Sequence, residues 1–439
     1  MMQYIPNLIF ALALIVGISF FVMNIRKLFR NINLGQDVNR SDKKPERLKN
    51  MMKIALGQSK MVKRPLSGFL HIIVYVGFVI INIEVLEIII DGLIGTHRIF
   101  QGFLGNAFYG FLIGTFEILA ALVFAAVIIF WTRRNVSNIK RFLSKEMKGW
   151  PKNDGNNILY FEMVLMTLFL VMNATDTAFQ EAGIGNTISQ FIVPLFDGFS
   201  AETIHIIERT SWWIHILGIL IFLNYLYYSK HLHILLAFPN TYFANLNPKG
   251  QFTNLESVTN EVKLMMDPDA DPYATPEEGA EETAPEKFGA SDVADLNWVQ
   301  LLNAYTCTEC GRCTSACPAN LTGKELSPRK IMMDTRDRLE EVGRNMDANK
   351  GVFVDDGKQL LNDYISPEEL WACTSCNACV EECPVNIDPL SIIMDMRRYL
   401  VMEESAAPQE LNMMMTNIEN NGAPWQYNQQ DRLNWANEE

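Results

Sequence analysis

All eight cysteines of this 439-residue chain fall into two identical runs, C-x-x-C-x-x-C-x-x-x-C-P. Cys307, Cys310, Cys313 and Cys317 precede Pro318; Cys373, Cys376, Cys379 and Cys383 precede Pro384. A two-residue gap keeps three thiolates on one side of a tight turn, where they wrap three irons of one cluster. The fourth cysteine is carried onward and completes the other cluster, so the spacing predicts two 4Fe-4S clusters with crossed ligands. The expected sets are Cys307, Cys310, Cys313 with Cys383, and Cys373, Cys376, Cys379 with Cys317. Disulfides and zinc are the competing readings. A disulfide framework suits a short secreted chain, and zinc sites pair two C-x-x-C knuckles without a third cysteine and a closing C-P.

The composition splits along the chain. Residues 1–239 hold 22 Lys and Arg against 15 Asp and Glu, whereas residues 240–439 hold 15 against 35. The basic half contains five long apolar segments, near 5–23, 66–90, 107–131, 158–176 and 209–230. Each approaches or exceeds the length that crosses about 30 Å of hydrocarbon as a helix. Five in succession, separated by charged loops, predict a membrane bundle rather than buried helices of a soluble fold. The first apolar run lacks a preceding basic region, which argues against a cleavable signal peptide.

Loop charge sets the expected orientation. Twelve Lys and Arg, from Arg26 to Arg64, lie between the first two segments, and seven, from Arg133 to Lys152, lie between the third and fourth. The connections around 91–106 and 177–208 contain only Arg98. The basic loops are therefore expected in the cytoplasm, with the N-terminus outside and the cysteine runs in the reducing compartment. Residues 241–295, with Asp267-Pro268-Asp269-Ala270-Asp271-Pro272 and then Glu277, Glu278, Glu281 and Glu282, read as an acidic solvated linker. Residues 406–439 read as a loosely ordered tail, with Trp425 and Trp435 as candidate docking points.

Of six histidines, His71 stands near the cytoplasmic start of the second span. The fifth span carries His215 and ends in Ser229-Lys230-His231-Leu232-His233. An ionisable residue at the membrane edge is a functional candidate by default, and two opposed imidazoles on adjacent helices suit the axial positions of a b-type haem. His215 and His233 are 18 residues apart, five turns at 3.6 residues per turn, which would place them on one helix face. His97 and His205, at the outer edge, read as interfacial anchors or neighbours of a quinone. Glu84 and Glu117 are carboxylates deep enough in the outer half to need a polar cavity or a proton-carrying role.

Over about residues 60–240 the chain resembles the cytochrome b (gamma) subunit of respiratory nitrate reductases. The resemblance rests on Phe69-Leu70-His71 and on His215 followed 18 residues later by His233 within Ser-Lys-x-x-His. It implies a five-span, N-out haem protein in which His71 and His233 ligate one haem b. The family's second haem uses a histidine ten residues beyond the first, where this chain has Ile81. His215 is then left without its usual partner and a single haem is expected, with His71, His233 and His215 as the candidate cofactor-binding residues.

Around the cysteines the sequence reads as helices. One leads from Asn297 to Thr306, another starts at Ser327-Pro328 and runs through Arg344 with its charges on one face, and a third opens at Ser366-Pro367 with serine as N-cap. About 56 residues separate the runs, too many for a compact β-rich ferredoxin. Cys-Thr-Glu-Cys-Gly-Arg-Cys-Thr-Ser-Ala-Cys-Pro at 307–318 and Cys-Thr-Ser-Cys-Asn-Ala-Cys-Val-Glu-Glu-Cys-Pro at 373–384 instead resemble the helical, C-type ferredoxin domain of heterodisulfide reductases. Members of those families often add Cys-Cys-Gly motifs, for which no cysteine remains here, and no G-x-G-x-x-G nucleotide signature was found.

The fold expected is mainly α: a five-helix transmembrane bundle (1–240), an acidic linker (241–295), an α-helical dicluster ferredoxin domain (296–405) and a tail (406–439). The function expected is that of an electron-transfer subunit in a prokaryotic cytoplasmic membrane, part of a quinone-linked, heterodisulfide reductase-like oxidoreductase. Its cofactors would be two 4Fe-4S clusters, one haem b and a quinone. Its partners would be a cytoplasmic oxidoreductase subunit with Cys-Cys-Gly motifs and the lipid and quinone of the membrane, with no nucleic acid. A haem-free membrane-anchored ferredoxin and a redox sensor are the alternatives.

Overall fold

The computed structural model describes residues 4–137, 139–268 and 287–437. It is 71% helical, with no strand among the described residues. Among the described residues, five helices are long and apolar enough to cross a membrane: α1 (Ile5–Ile32), α2 (Pro65–Ile94), α3 (Ile99–Asn135), α4 (Trp150–Thr175) and α5 (Ala201–Tyr225). Proline at the first turns of α1, α2 and α4 starts those helices where no backbone donor is lost. Ser200 caps α5 by accepting from Thr203 N at 3.2 Å. Gly95, at φ 84°, stops α2 in the left-handed conformation that glycine adopts without penalty. α3 begins earlier than its apolar core, and Gly105, at φ 74°, breaks its first turns from the rest.

The bundle packs around Phe10, Ile81, Phe116, Phe169 and Ile216. At 28 residues, α1 is about 42 Å long at 1.5 Å per residue, which exceeds the hydrocarbon thickness. Its C-terminal turns continue beyond the bundle and enter a second core. There Leu28 and Ile32 join Phe222 of α5, and Leu226 and Leu232 from the turns after it, with Leu301, Ala304, Ile331 and Ile392 of the cysteine-bearing part. The two halves share this core.

Three further helices frame the cysteines: α7 (Trp298–Thr306), α8 (Pro328–Ala348) and α9 (Pro389–Met402), after α6 (His233–Tyr242). α7 starts in a capping box, with Asn297 Oδ1 accepting from Gln300 N at 3.1 Å and Gln300 Oε1 from Asn297 N at 2.8 Å. Its joint with α1 is tight. Gln36 N donates to Leu296 O at 2.8 Å, Trp298 N donates to Gln36 O at 3.1 Å, and a Cβ on Gly35 would lie 2.7 Å from that backbone. Asn31 donates to Tyr305 Oη at 2.9 Å and lies against Gly343, where a Cβ would meet it at 2.5 Å.

The structure departs from the sequence reading at the linker. The acidic run 269–286 lies outside the described residues, and Glu256–Met266 is helical. Ala290, Val293 and Leu296 are buried in the shared core, so residues 290–296 are structural rather than solvated, whereas the 256–266 helix buries no residue. Arg338 explains why. The guanidinium is wholly buried, donates to Asp292 at 2.8 and 3.0 Å and to Asp356 at 2.6 and 3.0 Å, and reaches Lys358 O at 2.7 Å. The charges of α8 therefore do not all share an exposed face, since Arg329 is also fully buried. Arg338→Met is expected to lower the stability of the cysteine-bearing part by roughly 3–5 kcal/mol, because it leaves two carboxylates unpaired. Thermal unfolding followed through the cluster absorbance would check this. In the tail, Gln409–Asn421 is a helix with no buried residue, and Trp425 and Trp435 are exposed.

Candidate functional site

The two cysteine runs fold into matching loops. In the first, Glu309 (φ 52°) and Gly311 (φ 70°) have left-handed backbone; in the second, Ser375 (φ 56°) and Asn377 (φ 58°) occupy the same two places. Alternating left- and right-handed residues turn successive N–H groups toward one centre, a concavity suited to an anionic cluster. Ser375 N donates to Cys373 Sγ at 3.4 Å and Ile387 N to Cys383 Sγ at 3.3 Å. Among the described residues no three His, Cys, Asp or Glu side chains converge on a single ion. The cysteines instead line two cavities. Cys307, Cys310, Cys313 and Cys383 border one; Cys317, Cys373 and Cys376 border the other, and Cys379 lies on the wall of both.

Burial raises the Cys307 thiol to about 12 and the Cys383 thiol to about 11. A set of thiolates in such a place needs cationic iron, and the donor type and cavity lining fit a 4Fe-4S cluster at each. The first cavity is also bordered by Arg312 and Arg329, whereas Arg397 stands beside the second, donating to Leu370 O at 2.6 Å and Cys373 O at 2.5 Å.

The first cysteine loop is fastened to the membrane half at two points. Arg312, buried, donates to Lys60 O at 3.1 Å and to Met61 O at 3.3 Å, in the segment that leads into α2. Glu309, also buried, pairs with Lys230, and with Arg336 at 2.8 Å. Burial works against ionisation of Glu309, but the two cations outweigh it and hold the carboxyl below its usual range. Arg329 adds a third link, donating to Glu146 at 2.6 Å and Arg141 O at 2.7 Å in the loop between α3 and α4. The second run meets the same basic segment, with Lys63–Glu381 at 2.8 Å and Arg64–Glu382 at 3.1 Å.

The structure brings His71 and His233 together, their ring centroids 6.4 Å apart and their planes at 42°. Two imidazoles on opposite sides of one metal, with metal–nitrogen bonds of about 2 Å, stand roughly 6 Å apart by centroid. His233 Nδ1 is 3.1 Å from Lys230 O, a contact that fixes the tautomer of a ligating histidine and leaves Nε2 free. His71 Nδ1 is buried without a hydrogen-bond partner. These features fit axial ligation of a haem.

His215 and His233 do not share one helix face, contrary to their 18-residue spacing. α5 ends at Tyr225, two 3-10 turns follow, and Ser229 is extended (φ −115°, ψ 145°) before His233 opens α6. His233 meets His71 because the chain turns there. His215 is buried beside Phe169, centroids 6.2 Å apart, with Nδ1 unpartnered. His97 bonds Asp176 at 3.0 Å, and His205 is exposed.

Glu117, a deep carboxylate by sequence, is accounted for. It accepts from Asn173 Nδ2 at 3.0 Å, Ile188 N at 2.7 Å and Ser189 N at 3.0 Å, and so anchors the connection between α4 and α5. Sequence reasoning missed Arg312, Lys230, Glu309 and Glu146. The first three stand inside the motifs already quoted, at positions that coordinate nothing, so position within a motif was the one available signal.

Residues 306–387 match the family model described as 4Fe-4S dicluster domain. The chain is 29% identical to the probable iron-sulfur-binding oxidoreductase FadF of Bacillus subtilis, over 98% of this chain and 61% of that protein. It is 24% identical to the EtfAB:quinone oxidoreductase of Syntrophomonas wolfei, over 92% of this chain and 55% of the relative. The probable membrane-anchored ferredoxin of Chromohalobacter salexigens is 34% identical over 34% of this chain and 24% of its own length. The chain thus spans less than two thirds of the length of these relatives, and no solved structure matches it. Its C-terminal half contains a 4Fe-4S dicluster domain, in a chain related to iron–sulfur oxidoreductases.

Proposed function

We propose that this chain is a membrane-bound electron-transfer subunit that passes electrons between a cytoplasmic redox partner and the quinone pool. In this reading Cys307, Cys310, Cys313 and Cys383 hold one 4Fe-4S cluster, Cys373, Cys376, Cys379 and Cys317 hold the other, and His71 and His233 hold one haem b. Bound there, the three groups supply one-electron steps, and the protein sets their potentials through ligands, hydrogen bonds and burial. His215 takes no part in this ligand set. The domain order is a membrane bundle to about residue 240, a connector and a ferredoxin domain facing the cytoplasm, with the N-terminus outside as loop charge favours.

One observation carries the reading: the first cysteine loop is fastened, through Arg312 and Glu309, to the two segments that present His71 and His233. Such a joint holds the first cluster site against the segments that carry His71 and His233, which anchoring alone does not require. The resemblance to the nitrate reductase gamma subunit supports the haem. The quinone in the name of the Syntrophomonas relative supports the membrane acceptor or donor. A cytoplasmic partner with Cys-Cys-Gly motifs is expected from the heterodisulfide reductase likeness.

An optical and EPR spectrum of the purified full chain tests this. The result expected is a reduced b-type haem band together with two cluster signals, and reduction of all three by a quinol. Intact clusters without haem would remove the path. Haem and clusters that no quinol reduces would favour a sensor.

A further inference from the structure

A further cavity, of about 360 Å³, lies at the end of the bundle that holds the start of α1, opposite the cysteines. One wall is aromatic. Phe10 packs on Trp212 and Trp213 with centroids 5.3 and 6.0 Å apart, and the two indoles meet edge-on at 5.2 Å. The facing wall is polar and comes from α2 and the connection after it: Glu84, Glu87, His97 and Arg98.

The polar groups of that wall differ in one respect. Glu87 accepts from Phe100 N at 2.9 Å and Tyr109 Oη at 3.0 Å. Arg98 donates to Asp176 at 3.0 Å and to Asn173 Oδ1 at 3.0 Å. Glu84 is only 3% exposed, and its Oε2 is buried with no hydrogen-bond partner. An unsatisfied carboxyl oxygen buried in a membrane helix is unfavourable unless a ligand completes it. A volume of this size, with an aromatic wall that also carries the Glu208–Arg209 ion pair and with a few placed polar groups facing it, suits a small-molecule site.

We propose that this cavity binds the head group of an isoprenoid quinone, its flat ring against Trp212 and Trp213 and one ring oxygen at Glu84. The assignment rests on the electron-transfer reading above and gives that reading its membrane terminus. Reduction takes two electrons, delivered singly from the reduced 4Fe-4S clusters of the same chain, and two protons. The Glu84 carboxyl O–H breaks as one ring O–H forms. The second proton enters at His97, whose side chain is 53% exposed, and the carboxylate left on Glu84 is reprotonated from the same side. Oxidation of the quinol runs each step backwards. His215 stands one helical turn further in from Trp212, on the same helix.

The test uses the full chain, with its cofactors, in lipid nanodiscs and a photoreactive azidoquinone, with labelled peptides located by mass spectrometry. Label competed by unmodified quinone is expected on residues 84–98 and 208–213. Trp212→Ala should reduce labelling at least tenfold while Trp212→Phe retains it. Glu84→Gln should keep the label yet slow quinol-driven cluster reduction at least tenfold. Label elsewhere in the bundle, or labelling unchanged by Trp212→Ala in protein with intact clusters, would overturn the site. His71→Ala separates the two ideas. Label retained without electron delivery upholds the cavity whether or not the haem assignment stands; loss of label with the haem would assign the quinone to the haem pocket and overturn the cavity.

Discussion

His71→Ala is expected to abolish haem binding while leaving both iron–sulfur clusters in place. Removing a direct ligand should exceed the roughly 10–100-fold loss of metal affinity typical of an outer partner. The histidine faces His233 across 6.4 Å, and the cysteine cavities are lined by other segments, so the two losses are separable. His233→Ala should give the same spectrum. His215→Ala should keep the haem, since that ring packs on Phe169 rather than on another imidazole. A pyridine haemochrome assay against iron and acid-labile sulfide reads all three variants. Haem retained at full occupancy in His71→Ala would transfer the ligand role to other histidines.

Cys383→Ser is expected to damage the cluster held by Cys307, Cys310 and Cys313, although it lies 70 or more residues away in sequence. Its sulfur borders their cavity, while its neighbours Cys373 and Cys376 border the other. Iron should fall by about half, with one of two EPR signals lost or converted to a three-iron type. Cys317→Ser should remove the opposite signal. If Cys383→Ser instead silenced the cluster of Cys373 and Cys376, each run would serve its own cluster and the crossed assignment would be wrong. The wall shared through Cys379 makes Cys379→Ser the variant expected to disturb both signals.

What could be read from the residues followed how local the cause was. Cysteine spacing is a local constraint, and so are apolar length and the N-cap at Ser366, which accepts from Glu369 N as expected. The left-handed residues at Glu309 and Ser375 carried no such mark, because neither type announces a positive φ. The continuity of α5 failed as an inference for a related reason: the 18-residue spacing of His215 and His233 presumes one unbroken helix, but Ser229 accepts from His231 N and turns the chain. The long-range ion pairs were hidden altogether. Asp292 reads as part of an acidic spacer until Arg338, 46 residues on, is seen between it and Asp356. Glu84 and Glu117 looked alike in sequence, and only tertiary context separates the satisfied carboxylate from the unsatisfied one.

The core that Leu28, Ile32 and Leu226 share with Leu301 and Ile331 has a kinetic consequence. A carrier on a flexible tether must dock and undock in every cycle, so its turnover slows with solvent viscosity and with tether length. Here the cysteine loops are bolted to the spans by buried arginines and by glycine-sized contacts at Gly35 and Gly343, which leaves nothing to swing. Turnover within the chain should therefore be indifferent to glycerol or sucrose, and a protease cut between Pro268 and Lys287 should leave both pieces together and still conducting.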